Sequence, residues 1–327
     1  MLLAGDIGGT KTLLGLFSPA PLRPLPISVE SLSTQDHPSL LSMIDAFLAR
    51  QAAGRPPIDA ACFGVAGPVI DDEAELTNVG WRVDGREVAL EFGLARCRLL
   101  NDLVAIAHAV PVLASSELHA LQEGVPNLSG NAGLIAAGTG LGQSFLFNDG
   151  RHLVPAPSEG GHADFAPRTE REWEVTRWLT ERFGRAEVEH VVSGIGLQNL
   201  YHFTHPEPFG HLDAPASDTD LPRLVSRNAL HGSCARCRSA LDIFVEAYGS
   251  EAGNVALRSV ATRGLYIGGG IAPKILPALE AGSFMAAFRS KPPMEDLLKT
   301  IPVRVILNPQ AGLLGAATAA NAEVRDD

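Results

Sequence analysis

Apolar runs closed by glycines recur along this chain. Leu2 to Asp6 and Thr12 to Phe17 flank Gly8-Gly9, which predicts two antiparallel strands around a turn. Two more turns of this kind follow apolar runs: Gly138-Thr139-Gly140-Leu141-Gly142 after Leu134 to Ala137, and Gly268-Gly269-Gly270 after Leu265 to Ile267. A prolyl surface connection is expected from Pro19 to Pro26. Leu40, Ile44, Phe47 and Leu48 fall at helical spacing, and Ala60 to Val65 then reads as a buried strand ending in Ala66-Gly67-Pro68. Arg98 to Asp102 is a strand running into polar residues, with a helix from Leu103 to Ala109 behind it. Asn101 and Asp102 therefore stand at a strand's carboxyl end, where open α/β sheets bind ligands.

Pro111 to Ala132 is looser and reads as a crossing into a second lobe. Beyond it the spacing predicts helices over 170–183, 194–203, 221–229 and 239–260, with strands at 134–137, 144–147 and 265–267. Val303 to Leu307 reads as a last strand and Ala311 to Ala320 as a small-residue helix returning to the first lobe. The division expected is residues 1–112 with 305–327 as a small α/β lobe, and 113–304 as a larger, helix-rich one. The recurring strand–glycine–strand units suggest a duplication at the level of lobes.

At 327 residues and 46% hydrophobic content the chain can bury a large core. Its net charge of −11 argues against nucleic acid and anionic membrane partners. Neither a signal-type leader nor an apolar stretch of spanning length is present, which reads as cytoplasmic. Cys62, Cys97, Cys234 and Cys237 are too scattered for a disulfide framework. Cys234-Ala235-Arg236-Cys237 has no second pair and no following His at zinc-finger spacing. It reads as a structural thiol pair inside a helix, and no metal ligands are assigned.

Bare amides in glycine turns suit phosphate oxygens, because a Cβ would obstruct the approach. Walker and dinucleotide-binding glycine patterns are both missing. Asn101-Asp102 and Ser158-Glu159-Gly160-Gly161-His162 offer hydrogen-bonding groups suited to hydroxyls. On spacing alone Asp102 is equally a helix N-cap, His162 a structural residue in a glycine turn and Glu159 a solvent-facing carboxylate.

Taken in order, several segments resemble the bacterial ATP-dependent glucokinases. They are Gly5-Asp6-Ile7-Gly8-Gly9-Thr10, Thr77-Asn78 with Trp81, Leu100-Asn101-Asp102, Gly138 to Gly142, Glu159 to Pro167, Val192-Ser193-Gly194, Cys234 to Leu241 and Gly268-Gly269-Gly270. The resemblance spans nearly the whole chain. It implies a two-lobed actin-like ATPase (ribonuclease H-like) α/β fold with an interlobe active-site cleft, and transfer of the ATP γ-phosphoryl group to the 6-hydroxyl of glucose as the first step of glycolysis. By the same resemblance Asp102 is the catalytic base, and Asn101, Asp102, Glu159, His162 and Glu189 bind glucose, with Glu187 close enough in sequence to exchange with Glu189. Gly5, Asp6, Ile7, Gly8, Gly9 and Thr10 form one phosphate loop and Gly138, Thr139 and Gly140 a second. Gly268, Gly269 and Gly270 line the adenosine side, Asp6 is an outer-shell partner of Mg2+, and the assembly is a homodimer.

Lys11 stands where many of these enzymes carry Asn, as in the related repressor/ORF/kinase sugar kinases. The cysteine-rich zinc motif of that group does not follow His162, nor does a helix-turn-helix precede the first strand, which favours the enzyme. A sugar kinase with another hexose acceptor and a catalytically silent sugar-responsive regulator are the rival readings.

Overall fold

The computed structural model describes all residues except 52–55, 77–78, 206–220 and 326–327, so Thr77-Asn78 lies outside the described residues. The chain divides into two compact units, Met1–Ala114 with Asn308–Asp327, and Ser115–Leu307.

The first unit contains β1 (Leu2–Ile7), β2 (Lys11–Ser18), β3 (Leu25–Ser33), β4 (Ala60–Val65), β5 (Glu73–Leu76), β6 (Trp81–Asp84) and β7 (Cys97–Asn101). Its helices are α1 (Leu40–Ala49), α2 (Gly85–Phe92), α3 (Asp102–Ala109) and, from the end of the chain, α11 (Ala311–Arg325). The main sheet has the order β3-β2-β1-β4-β7, with β1, β4 and β7 parallel. Both faces of its middle strands are covered, which is why they read as continuous apolar runs. Leu3, Ile7, Phe63 and Leu99 pack on one face with Met43, Ile44 and Phe47 of α1. Leu2, Ala4, Cys62 and Leu100 pack on the other with Val104 and Ala105 of α3 and Leu313, Ala316 and Ala317 of α11. The alternation of successive side chains turns Asp6 to the α3 and α11 side. The connection read as running to Pro26 ends earlier: Leu25 and Pro26 already pair with Ser18 and Phe17 at the open end of edge strand β3, where a proline is tolerated.

The second unit contains β8 (Leu118–Gln122), β9 (Ala132–Ala137), β10 (Leu141–Asn148), β11 (Leu153–Ser158), β12 (Gly264–Gly268) and β13 (Val303–Ile306), in the order β11-β10-β9-β12-β13-β8. Its helices are α4 (Glu170–Phe183), α5 (Gly194–Thr204), α6 (Leu221–Leu230), α7 (Ala235–Ser259), α8 (Leu276–Glu280), α9 (Ser283–Arg289) and α10 (Glu295–Thr300). α7 runs through one core, where Phe244, Tyr248, Ala252 and Val255 meet Ile135 of β9, Leu265 of β12 and Phe284 of α9. Part of the stretch read as a loose crossing is strand: β8 is an edge strand antiparallel to β13. Its side chains are mostly half-exposed, so no buried apolar run marks it.

The two sheets share one plan. In each, an antiparallel meander (β1-β2-β3; β9-β10-β11) is followed by strands parallel to its first member (β4 and β7; β12 and β13). The shared plan parallels the recurrence of the strand–glycine–strand motif, and β8 is an additional strand of the second sheet.

Candidate active site

In the first unit the carboxyl ends of β1, β4 and β7 come level, Ile7 pairing with Val65 and Val65 with Asn101. This register brings the turn after β1 and the start of α3 to one edge of the sheet. The turn is fixed from below: Gly8 N donates to Lys11 O at 3.1 Å. Thr34 Oγ1 donates to Gly8 O at 2.7 Å and lies 2.9 Å from the Thr12 hydroxyl. The turn proper is Gly8-Gly9-Thr10. Gly5 and Ile7 lie inside β1, with Gly5 against the Phe63 ring and Ile7 buried, so they carry the loop rather than form it. Asp6 is half-buried; burial raises its pKa above the usual carboxylate value, and the Lys11 ammonium acts against that rise.

The cap of α3 is Asn101, not Asp102. Asn101 Oδ1 accepts from Leu103 N at 2.9 Å and Val104 N at 3.4 Å, while its Nδ2 donates to Gly67 O at 3.0 Å. Asp102 is the first helical residue, and its Oδ1 accepts from Leu103 N at 2.8 Å. The half-buried carboxylate thus stands at the amide end of a helix, where the aligned peptide dipoles favour negative charge.

In the second unit the carboxyl ends of β9 and β12 carry the other two glycine turns. Gly138 N donates to Gly140 O at 2.9 Å, and Gly194 N at the start of α5 donates to Gly138 O at 2.8 Å. Ser193 caps α5 by accepting from Gly196 N at 2.9 Å. The turn after β12 is Gly269-Gly270, Gly268 being the last residue of the strand; Gly269 has φ +83°.

Three of the residues expected to bind sugar meet in this unit. Glu159, Gly160, Gly161 and His162 form a short 3-10 turn after β11, with Glu159 and His162 exposed. Glu189 N donates to Gly161 O at 2.9 Å, and the Glu189 carboxylate accepts from Leu141 N at 2.7 Å, against the Gly138–Gly142 turn. Glu187 is placed otherwise. Its Oε2 lies 2.8 Å from His162 Nδ1 and its Oε1 3.6 Å from Arg185 Nη1. That contact, reinforced by the charges of Glu189 and Glu159, raises the His162 pKa above the ordinary imidazole value and depresses that of Glu187. The structure therefore separates the two glutamates: one braces the glycine turn and the other holds the histidine.

Gly138 and Thr139 also open a cavity of about 460 Å3. Ile195, Leu230 and Ile271 give it apolar walls, and Arg223, Arg227 and Lys274 bring positive charge. Such a mixture suits a flat apolar ring system joined to anionic groups. The contribution of α6 was not legible in the sequence, because Arg223, Ser226 and Arg227 show the spacing of any amphipathic helix face.

The sequence profile of the family described as Glucokinase matches residues 3–323. A glucokinase from Synechocystis sp. is 42% identical over 97% of this chain and 97% of its own length. The crystal structure of a glucokinase from an Antarctic psychrotroph superposes with a TM-score of 0.87 at 28% identity, covering 98% of both chains. A repressor/ORF/kinase-family glucokinase from Streptomyces griseus, solved with glucose and AMPPNP, shares the fold at a TM-score of 0.65 and 21% identity, over 98% of this chain and 99% of its own.

Proposed function

The chain belongs to the glucokinase family, and from that premise we propose that Asp102 orients the 6-hydroxyl of glucose as the γ-phosphoryl group of ATP is transferred to it. The protein is an ATP-dependent sugar kinase of the two-lobed actin-like fold that phosphorylates glucose. The observation that carries the assignment of Asp102 is its position at the level carboxyl edge of β1, β4 and β7, the edge that also carries the Gly8-Gly9 turn, with capping left to Asn101.

In phosphoryl transfer the chain's task is positioning and charge stabilisation. The Asp102 carboxylate accepts a hydrogen bond from the 6-hydroxyl and takes its proton late, so its pKa need not approach neutrality. Asn101 keeps a second amide hydrogen for a sugar hydroxyl, since one serves Gly67 O. Glu159 and Glu189 accept from sugar hydroxyls, and His162, tied to Glu187 through Nδ1, turns Nε2 to the same task. The amides of Gly8-Gly9-Thr10 and Gly138-Thr139-Gly140 receive phosphate oxygens. The adenosine occupies the cavity beyond Gly138, whose wall includes Ile271, the residue that follows Gly268-Gly269-Gly270.

Mg2+ fits the donors present: it takes one or two carboxylates together with substrate phosphates and water, and Asp6 offers one carboxylate beside the first turn. When bound it neutralises charge on the phosphate oxygens; Asp6 would hold its hydrated shell. Entry of glucose into glycolysis, residence in the cytoplasm and a homodimeric assembly belong to the same proposal. Among the described residues no helix is long and apolar enough to cross a membrane.

Direct detection of glucose 6-phosphate from glucose, ATP and Mg2+ tests the reading, run beside mannose and amino sugars. Glucose is expected to give the highest kcat/KM. Absence of any sugar phosphate would leave the silent regulator standing, and a better hexose would redirect the acceptor.

A further inference from the structure

The Cys234-x-x-Cys237 pair is not contained within a helix. Cys234 is the N-cap of α7, its Sγ accepting from Cys237 N at 3.2 Å, and Cys237 is buried in the first turn. The fold supplies the histidine that the downstream sequence lacks: His205 at the end of α5 is buried beside the pair, and one of its ring nitrogens and the two sulfurs all lie within 4.8 Å of one another.

We propose that His205, Cys234 and Cys237 form a Zn2+ site with water in the fourth position. Three observations carry it. The first is distance: tetrahedral zinc, with sulfur at about 2.3 Å and nitrogen at about 2.0–2.1 Å, sets the two ligand atoms about 3.6 Å apart, and Cys234 Sγ stands 3.6 Å from His205 Nε2.

The second is the histidine's tautomer. Nδ1 lies 2.9 Å from Tyr201 O, and a carbonyl can only accept, so the proton sits on Nδ1 and the Nε2 lone pair faces the sulfur. Ligating histidines are oriented in this way by a bond from the other ring nitrogen. The Tyr201 ring stacks on the imidazole at 4.0 Å and 25°, fixing its plane.

The third is charge. Two thiols exchange their protons for one Zn2+, releasing two protons and leaving a neutral cluster, so the buried surroundings host no net charge. Soft sulfur with imidazole is the donor set that suits zinc rather than Mg2+. Arg236 is the cation facing His205 from α7, and a neutral cluster meets no repulsion from it.

The site would join the end of α5 to the start of α7 and so close the chain between residues 205 and 234. That stretch contains α6, which supplies Arg223, Ser226 and Arg227 to the cavity. Closing a long stretch of chain limits the freedom of the unfolded state, so bound metal stabilises the fold.

The test is titration of the reduced, chelator-stripped full chain with Co2+ and then Zn2+. One equivalent of Co2+ is expected to give the thiolate charge-transfer absorption of a sulfur-ligated site, and Zn2+ to abolish it. Cys234→Ser, Cys237→Ser and His205→Gln are expected to lose the absorption and the rise in melting temperature caused by Zn2+. Glucose phosphorylation by His205→Gln, the mildest change, checks that the fold persists. Absence of the charge-transfer band, an unchanged band in His205→Gln, or a Cys234–Cys237 disulfide whose reduced form takes up no metal would each overturn the proposal.

Discussion

The carboxylate of Glu189 fills the space that a side chain on Gly140 would need: a Cβ built there meets Glu189 Oε2 at 2.5 Å. The same carboxylate accepts from Leu141 N at 2.7 Å, so the glycine turn and the glutamate are one device. Gly140→Ala must displace either the acid or the turn. Forced overpacking of this kind costs about 1–3 kcal/mol, which, if expressed at the site, corresponds to a loss in kcat/KM of about 5-fold to 160-fold. Steady-state kinetics against both substrates check this, and an unchanged kcat/KM would detach Glu189 from the reaction.

Asp102→Ala is expected to lower kcat by about a hundredfold to ten-thousandfold, the range for loss of a positioned acid-base group, while glucose still binds. Because Asn101 supplies the cap, α3 should survive the change. Asn101→Ala, in contrast, should lower stability by about 1 kcal/mol through loss of that cap. Calorimetric glucose binding with single-turnover kinetics separates these effects, and near-normal turnover in Asp102→Ala would remove the residue from the chemistry.

These two cases show where sequence is informative. Asn101 and Asp102 were readable as a strand end because β7 is apolar and α3 follows at once. Which of the adjacent residues caps the helix depends on Asn101 reaching Gly67 O, a contact across thirty-four positions that no local pattern encodes. Strands buried on both faces, such as β4 and β9, announce themselves as uninterrupted apolar runs. Edge strand β8 and the short hairpin β5–β6 do not, since half-exposed strands carry mixed side chains. Likewise the Cys234-x-x-Cys237 spacing invites a zinc or redox reading but lacks a histidine downstream, because the proposed partner His205 precedes it and arrives through the packing of α5 on α7.

The His162–Glu187 pair predicts a pH dependence. Its favourable form has His162 protonated and Glu187 ionised. The raised His162 pKa means that its contribution is fully present below the unfolded imidazole value of 6.5 and is lost as pH rises through the higher folded value. The depressed Glu187 pKa means that its contribution is present above 4.5 and is lost as pH falls through the lower folded value. The stability difference between wild type and His162→Gln should therefore be greatest between those two reference values and shrink on either side. His162 is 54% exposed, so the difference stays below about 1 kcal/mol. Nuclear magnetic resonance titration should show the His162 midpoint falling in Glu187→Gln, and an unmoved midpoint would refute the coupling.

Gly312, in the first turn of α11, stands against the Asp6 carboxylate: a Cβ there meets Oδ2 at 2.6 Å. Two effects of Gly312→Ala oppose each other. Alanine favours a helix over glycine by about 1 kcal/mol, whereas the new methyl group pushes the carboxylate aside. Global stability should then change little, since the two terms are of similar size. The displaced carboxylate is a different matter, because the proposed Mg2+ role depends on where it stands relative to the Gly8-Gly9 turn. Gly312→Ala should raise the Mg2+ concentration giving half-maximal velocity several-fold, with the melting temperature nearly constant. Velocity measured against Mg2+ at saturating glucose and ATP decides the matter: an unchanged requirement in a folded variant would mean that Asp6 does not serve the metal.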